Sequence, residues 1–463
     1  MSRETHGPSR RRVLQGGAVG AGAALLSSPL ARADQIQGRP NIVLVILDQM
    51  TERMISAHRS SPVQTPGLDR LASMGTSFTQ AYCADPSCSP ARASLLTGRP
   101  SSEHGVLLNR GYLVPGTMDI GTWMREKAGY QSWYTGKWHI LGLKPHKAFE
   151  IVNRGTIFGG ASDLSVLRSF EGRLSNHDGK DPFFAVVSLL NPHDIAEWVS
   201  LEWGGAEASS SDLGISDLPP LPANFQTTHR EASLHQQIRR RARLRSRWGE
   251  EKWRLYLWWY HRMIEMVDGV ISRLLDILEN SRYGDDTLLM LTSDHGELAA
   301  EHGLIMKQSL YEASAKVPLM AAWPGVLPAG RVDRRSLVSH LDVVPTVCDL
   351  AGVETPPRMA GRSLLPLLRD PETEWRTSLQ VQSAVEGRMI RTSRYKYIHY
   401  RDDEKEQLFD LQADPWELVE LSQDPEHADA LENHRTLQVE AETLLESTDL
   451  SRSGYDAAFK YKP

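Results

Sequence analysis

Cysteine is the scarcest informative residue in this chain: 463 residues contain only Cys83, Cys88 and Cys348. Three cysteines cannot build a disulfide framework, and without a Cys-x-x-Cys pair or a histidine-rich tract there is no zinc-site pattern. Charge of one sign is lacking too. The 52 Lys+Arg stand against 58 Asp+Glu, a formal net charge of −6, which excludes a strongly basic nucleic-acid binder. Internal repeats are absent, and past the first few dozen residues no apolar run is long enough to span a bilayer. What remains, 40% apolar and 24% charged residues, is the balance of an ordinary folded, soluble protein rather than a disordered one. The length fits a large domain carrying a smaller one. Any cysteine chemistry must rest on a single special thiol.

The first residues read as an export address. Ser9-Arg10-Arg11-Arg12 precedes a Gly- and Ala-rich apolar stretch to Leu26, then Ala31-Arg32-Ala33. A charged start, a short apolar middle and a small-x-small site are the parts of a secretory signal. The paired arginines and low hydrophobicity resemble a twin-arginine signal. Cleavage after residue 33 would remove five Arg and one Glu and leave a mature chain near −10. The expectation is an exported protein, periplasmic or secreted, with no membrane segment in its mature form and no nucleic-acid partner.

Three apolar runs organise the chain that follows: Ile42–Leu47, Phe183–Leu190 and Thr287–Leu291. Continuous runs rich in β-branched residues suit strands buried on both faces, hence a mostly parallel or mixed sheet flanked by helices. Each ends at polar residues: Asp48, Asn191-Pro192-His193, and Asp294-His295-Gly296. In open α/β sheets ligands sit beyond the carboxyl ends of the strands, so these are candidate site residues. Any one alone could be a turn residue. Residues 204–224, rich in Gly, Ser, Asp and Pro, read as loop, and the Arg239–Arg247 run as a solvated helix face. Trp253, Leu257, Tyr260, Ile264, Val267, Ile271 and Leu274 repeat at helical spacing; the tryptophans there could stack on sugars, but packing is the favoured reading. A Pro- and Glu-containing break near residues 366–374 precedes strand patterns at Met389–Arg391 and Tyr395–Tyr400, a small antiparallel C-terminal sheet. The expected domains are a signal peptide over 1–33, a catalytic domain over 39–365 and a subdomain over 372–463.

The most specific stretch is Cys88-Ser89-Pro90-Ala91-Arg92-Ala93-Ser94-Leu95-Leu96-Thr97-Gly98-Arg99. A cysteine opening a helix could be inert, or could have its pKa lowered by the helix N-terminus. Cys-x-Pro-x-Arg followed by Leu-Thr-Gly-Arg resembles the defining motif of the type I, formylglycine-dependent sulfatases of the alkaline phosphatase-like superfamily. Further similarities follow in order. Gly136-Lys137-Trp138-His139 resembles the family's second motif, Pro192-His193 its strand-end histidine, and Ser293-Asp294-His295-Gly296-Glu297 its metal motif. Lys307 falls where the family keeps a sulfate-binding lysine, and Glu406–Leu411 with Asp414-Pro415 resembles its C-terminal subdomain.

The resemblance implies that Cys88 is oxidised by a formylglycine-generating enzyme to an aldehyde whose hydrate is the nucleophile. It implies catalytic roles for Cys88, Arg92, Lys137, His139, His193 and Lys307. It implies a divalent metal held by Asp48, Gln49, residue 88, Asp294 and His295. Hard oxygen ligands with one imidazole suit Ca²⁺, with Mg²⁺ or Mn²⁺ also compatible. Gln49 stands where many members carry a second Asp; related phosphonate monoester and phosphodiester hydrolases, and some sulfatases, share Asp-Gln. The expected activity is hydrolysis of an organic sulfate ester, on a carbohydrate by virtue of export and the tryptophan-rich insertion. Alternatives are a phosphonate monoester or phosphodiester hydrolase on the same scaffold, or a non-catalytic binder of sulfated glycans should Cys88 stay a thiol. His104 and Asn109 could reach the site, His340 and Asp342 read as structural, and Cys83 with Cys348 could pair or stay free.

Overall fold

The computed structural model describes residues 39–445, apart from 60, 157, 204–213, 227, 228, 230, 237–247, 384–386 and 402. The expected leader and the Arg239–Arg247 run lie outside the described residues. The main body is an eight-stranded sheet. Its spatial order is Glu150–Asn153, Gln131–Gly136, Phe183–Pro192, Asn41–Asp48, Thr287–Ser293, Leu319–Ala322, Thr76–Phe78 and Arg331–Asp333. Its five strands from Glu150–Asn153 to Thr287–Ser293 are mutually parallel. Leu319–Ala322 runs against both of its neighbours, so the sheet is mixed.

The sequence shows why the central strands are continuous apolar runs. Along Asn41–Asp48, Val43, Val45 and Leu47 face one buried cluster while Ile42, Leu44 and Ile46 face another. Both faces are covered by helices, so neither needs polar residues. The first cluster is closed by the helices Gly159–Ser175 and Glu250–Glu279, the second by Cys88–Thr97, Ile120–Lys127 and Val343–Ala351. The long helix buries the expected stripe, including Trp253, Leu257, Tyr260, Ile264, Val267, Ile271 and Leu274. Trp198 is buried and Trp258 and Trp259 pack against the same core. These tryptophans are packing residues, which removes the structural support for reading that region as a sugar platform.

Four antiparallel strands, Ser378–Ser383, Gly387–Thr392, Tyr395–Tyr400 and Glu406–Asp410, form the C-terminal sheet. One face packs Met389, Ile398 and Phe409 onto Leu310 and Tyr311 of the main body; the other packs Ile390, Tyr397 and Leu408 on the helix Ala428–Thr443. All three cysteines are buried and free, which settles the open alternative for Cys83 and Cys348. Among the described residues no helix is long and apolar enough to cross a membrane.

Candidate active site

Three parallel strands bring their carboxyl ends together, with Asp48 opposite Pro192 and Leu47 opposite Ser293. Asp48 and Asp294 are fully buried at those ends. Cys88 is the first residue of its helix, which runs to Thr97 and stops at Gly98 in the left-handed conformation (φ 67°). The thiol is thus at the positive end of a helix dipole. Asn109 accepts from the Ser89 backbone N–H at 3.0 Å and the Ser87 hydroxyl at 3.1 Å, so it anchors the start of this helix.

Arg92, one turn into the helix and 1% exposed, ties the strand ends together. Its Nη2 donates to Asp48 Oδ2 at 2.8 Å and its Nε to Asp294 Oδ2 at 2.9 Å. Its Nη1 donates to the Lys137 carbonyl at 3.0 Å and to Ser188 Oγ at 2.7 Å. Gly136 makes this possible: at φ 102° a Cβ would sit 1.8 Å from the Ser188 carbonyl oxygen, so only glycine lets the two strand ends approach. Lys137 Nζ lies 2.5 Å from Asp48 Oδ2.

Lys307 Nζ is 2.8 Å from both Cys88 Sγ and Gln49 Oε1. His295 Nε2 is 3.2 Å from the same sulfur, while its Nδ1 donates to the Gly296 carbonyl at 2.8 Å. That bond fixes the ring so that Nε2 looks into the cluster. Burial alone would raise the Cys88 thiol. The Lys307 and Lys137 ammonium groups, His295 and a hydrogen bond from His139 outweigh it and hold the thiol well below its usual value. Burial likewise opposes ionisation of Asp48, but Lys137, His193 and Arg92 hold its carboxyl far below the ordinary range. Buried Asp294 is shifted upward, burial and the neighbouring Asp48 charge prevailing over His295 and Arg92.

One ligand atom each from Asp48, Cys88, Asp294 and His295 lie within 4.8 Å of one another. Two carboxylates and an oriented imidazole nitrogen, with the Gln49 carbonyl oxygen beside them, fit a hard divalent cation. The motif residues Asp48, Gln49, Cys88, Arg92, Lys137, Asp294, His295 and Lys307 thus meet in one buried cluster by direct contact, and His139 reaches it through its hydrogen bond to residue 88; His193 directly follows the carboxyl end of the Phe183–Pro192 strand.

Other candidates lie outside it. His104 is bound to Ser94 Oγ and the Val106 N–H and is pushed down to about 3 by burial. Burial also pushes His340 down to about 3, beside Thr292. Asp342 closes a capping box with Ser339 and takes both terminal nitrogens of Arg376. Asp194, next to His193, binds the Gly159 and Gly160 N–H groups at 2.8 Å and so begins a helix. Sequence reading passed over Ser188, which had no motif of its own, and Glu297, whose signal was its place in the Ser-Asp-His-Gly-Glu stretch.

The comparisons agree with this geometry. A family model described as Sulfatase matches residues 40–353, and one described as N-sulphoglucosamine sulphohydrolase, C-terminal, matches residues 300–443. The chain is 30% identical over 440 residues to a Delta 4,5-hexuronate-2-O-sulfatase of Bacteroides thetaiotaomicron, covering 88% of this chain and 89% of that protein. It is 28% identical to a choline-sulfatase of Rhizobium meliloti, covering 84% and 83% of the two chains. The solved structure of a 2-O GAG sulfatase superposes with a TM-score of 0.79 at 28% identity, over 90% of this chain and 94% of that one. The phosphonate monoester hydrolase of Agrobacterium radiobacter shares the fold, with a TM-score of 0.74 at 23% identity over 88% and 96%.

Proposed function

The chain belongs to the sulfatase family and is a sulfuric ester hydrolase; on that premise we propose that it removes a sulfate ester from a carbohydrate, using residue 88 as formylglycine. The observation that carries this reading is the setting of Cys88. It opens a helix, 2.8 Å from Lys307 Nζ and 3.2 Å from His295 Nε2, beside two buried aspartates and hydrogen-bonded by His139. A structural thiol needs no such cationic surround. The carbohydrate substrate class rests on the hexuronate sulfatase and the GAG sulfatase among the similar proteins.

Asp48, Gln49, Asp294 and His295 would hold one divalent cation, with Ca²⁺ the best match to the oxygen-rich donor set and Mg²⁺ or Mn²⁺ accommodated. Such an ion would stabilise charge on the sulfate oxygens and lower the pKa of a hydroxyl on residue 88. Formylglycine hydrate would supply two hydroxyls on one carbon, one to attack sulfur and one to drive release of sulfate. The chain's own groups do the rest. Lys307 and Lys137 bind the sulfate oxygens and offset the charge that accumulates there in the transition state. Arg92 keeps Asp48 and Asp294 aligned. His193 holds the proton for the departing alcohol oxygen, and His139 takes the proton of the second hydroxyl as sulfate leaves. Export through the twin-arginine pathway, and maturation by a formylglycine-generating enzyme, complete the proposal.

The test begins with the mass of the peptide containing residue 88, from protein made in a host with the modifying enzyme. Conversion of the thiol to aldehyde or its hydrate is expected, with turnover of a sulfated uronate or hexosamine. An unmodified thiol in folded protein, with binding but no turnover, would favour a glycan binder. Aryl phosphonate cleaved much faster than aryl sulfate would replace the substrate class.

A further inference from the structure

Gln49 is held more firmly than a lone metal-site amide needs to be. Its backbone is left-handed (φ 72°), its N–H donates to Asp294 Oδ1 at 3.1 Å, and its carbonyl accepts from Tyr260 at 2.8 Å. Its side chain bridges two buried groups of opposite character: Nε2 donates to Glu297 Oε2, and Oε1 accepts from Lys307 Nζ at 2.8 Å. Glu297 is itself fully buried. Its second oxygen accepts from the Tyr256 hydroxyl, the Met306 N–H and, at 3.2 Å, the Ala299 N–H.

We propose that Glu297 is a positioning residue, whose carboxylate fixes the Gln49 amide so that its carbonyl oxygen, and not its NH₂, faces Lys307, residue 88 and the bound cation. An amide has two nearly isosteric orientations, and only its neighbours choose between them. A carboxylate can only accept and an ammonium can only donate, so the pair Glu297 and Lys307 admits one orientation. Turned over, the amide would point N–H groups at an ammonium and at a cation. The inference rests on the metal reading above and adds a residue that does not itself reach the cluster. It also accounts for a neutral residue at position 49: with Glu297 directly behind it, an aspartate there would set two carboxylates face to face.

The experiment measures divalent-ion affinity by competition with a chromophoric chelator, on the full chain, for wild type, Glu297→Gln, Tyr256→Phe, Gln49→Asp and the double variant Gln49→Asp/Glu297→Gln. Outer partners of metal ligands affect affinity about 10–100-fold; Glu297→Gln is expected to weaken binding within that range, and Tyr256→Phe in the same direction by less. In the Gln49→Asp background the same Glu297→Gln change is expected to tighten binding. A sign reversal between backgrounds is something a merely structural glutamate would not produce. Equal affinity of wild type and Glu297→Gln, or an equal loss in both backgrounds, overturns the inference. Should Glu297→Gln fail to fold, Tyr256→Phe against wild type decides it: weakened binding supports the inference and equal affinity overturns it. Wild-type protein that binds no divalent ion overturns the metal reading itself, a separate outcome.

Discussion

Arg92 offers the sharpest test of how this site is held together. Its guanidinium is 1% exposed and makes four hydrogen bonds, two of them to Asp48 and Asp294, both buried. Replacing it with methionine keeps most of the volume and leaves two adjacent carboxylates without their shared cation. Breaking a buried pair by removing one partner costs about 3–5 kcal/mol, a large fraction of a total stability of roughly 5–15 kcal/mol. Arg92→Lys keeps the charge but gives up the fork that reaches both aspartates and Ser188. Its loss should fall between wild type and methionine. The assay is denaturant unfolding of the three proteins, first with a chelator and then with excess Ca²⁺. A bound cation compensates the same carboxylates, and binding at 100 times Kd adds about 2.7 kcal/mol to a folded state. The gap between wild type and Arg92→Met should therefore narrow when Ca²⁺ is added. A loss under about 0.5 kcal/mol in chelator, the range of ordinary surface substitutions, would refute the account of Arg92 as the clamp.

Two further expectations concern charge. In protein made without the modifying enzyme and kept metal-free, Lys307, Lys137 and His295 hold the Cys88 thiol well below its usual value. Thiolate absorbance near neutral pH should thus exceed that of Cys88→Ser, and Lys307→Met should reduce the difference; equal spectra at neutral pH would count against the electrostatic reading. At the subdomain interface, Lys396 Nζ lies 3.2 Å from Glu312 Oε1 and 2.6 Å from Glu417 Oε1. Burial pushes both carboxyls up, but Lys396, joined by Lys316, Arg391 and Arg53 at Glu312 and by His302 at Glu417, more than offsets it, and each is lowered from 4.5 to about 2. A depressed carboxylate stabilises the fold fully above its unfolded value and loses that contribution as pH falls. Wild type should therefore exceed Lys396→Met in stability at neutral pH, and the gap should close between pH 4.5 and about 2. A gap independent of pH would sink this account of the interface.

Much of this protein is written locally. The central strands are legible because a strand buried on both faces must be apolar throughout, and Ile42–Leu47 and Phe183–Leu190 are. The long helix is legible because its stripe repeats at 3.6 residues; it extends past both ends of that stripe, to Glu250 and Glu279, with Leu275 and Leu278 carrying the same buried face into the last turn. The site residues were legible as ordered motifs at strand ends and at one helix start. Sequence could not say whether Cys83 and Cys348 meet, or where His104 and Asn109 point, because those depend on separations across the fold. Nor could it place Ser188 beside Arg92, 96 residues away. Glu297 was visible as a letter in a motif, but its role depends on Gln49, 248 residues earlier, and on Tyr256 from the long helix. Patterning and motif order determined the strands, the helices and the chemistry available. The packing of parallel strand ends against one helix decided which groups share a proton or could share a cation, because hydrogen bonds and charge effects act over a few ångströms of space and are indifferent to distance along the chain.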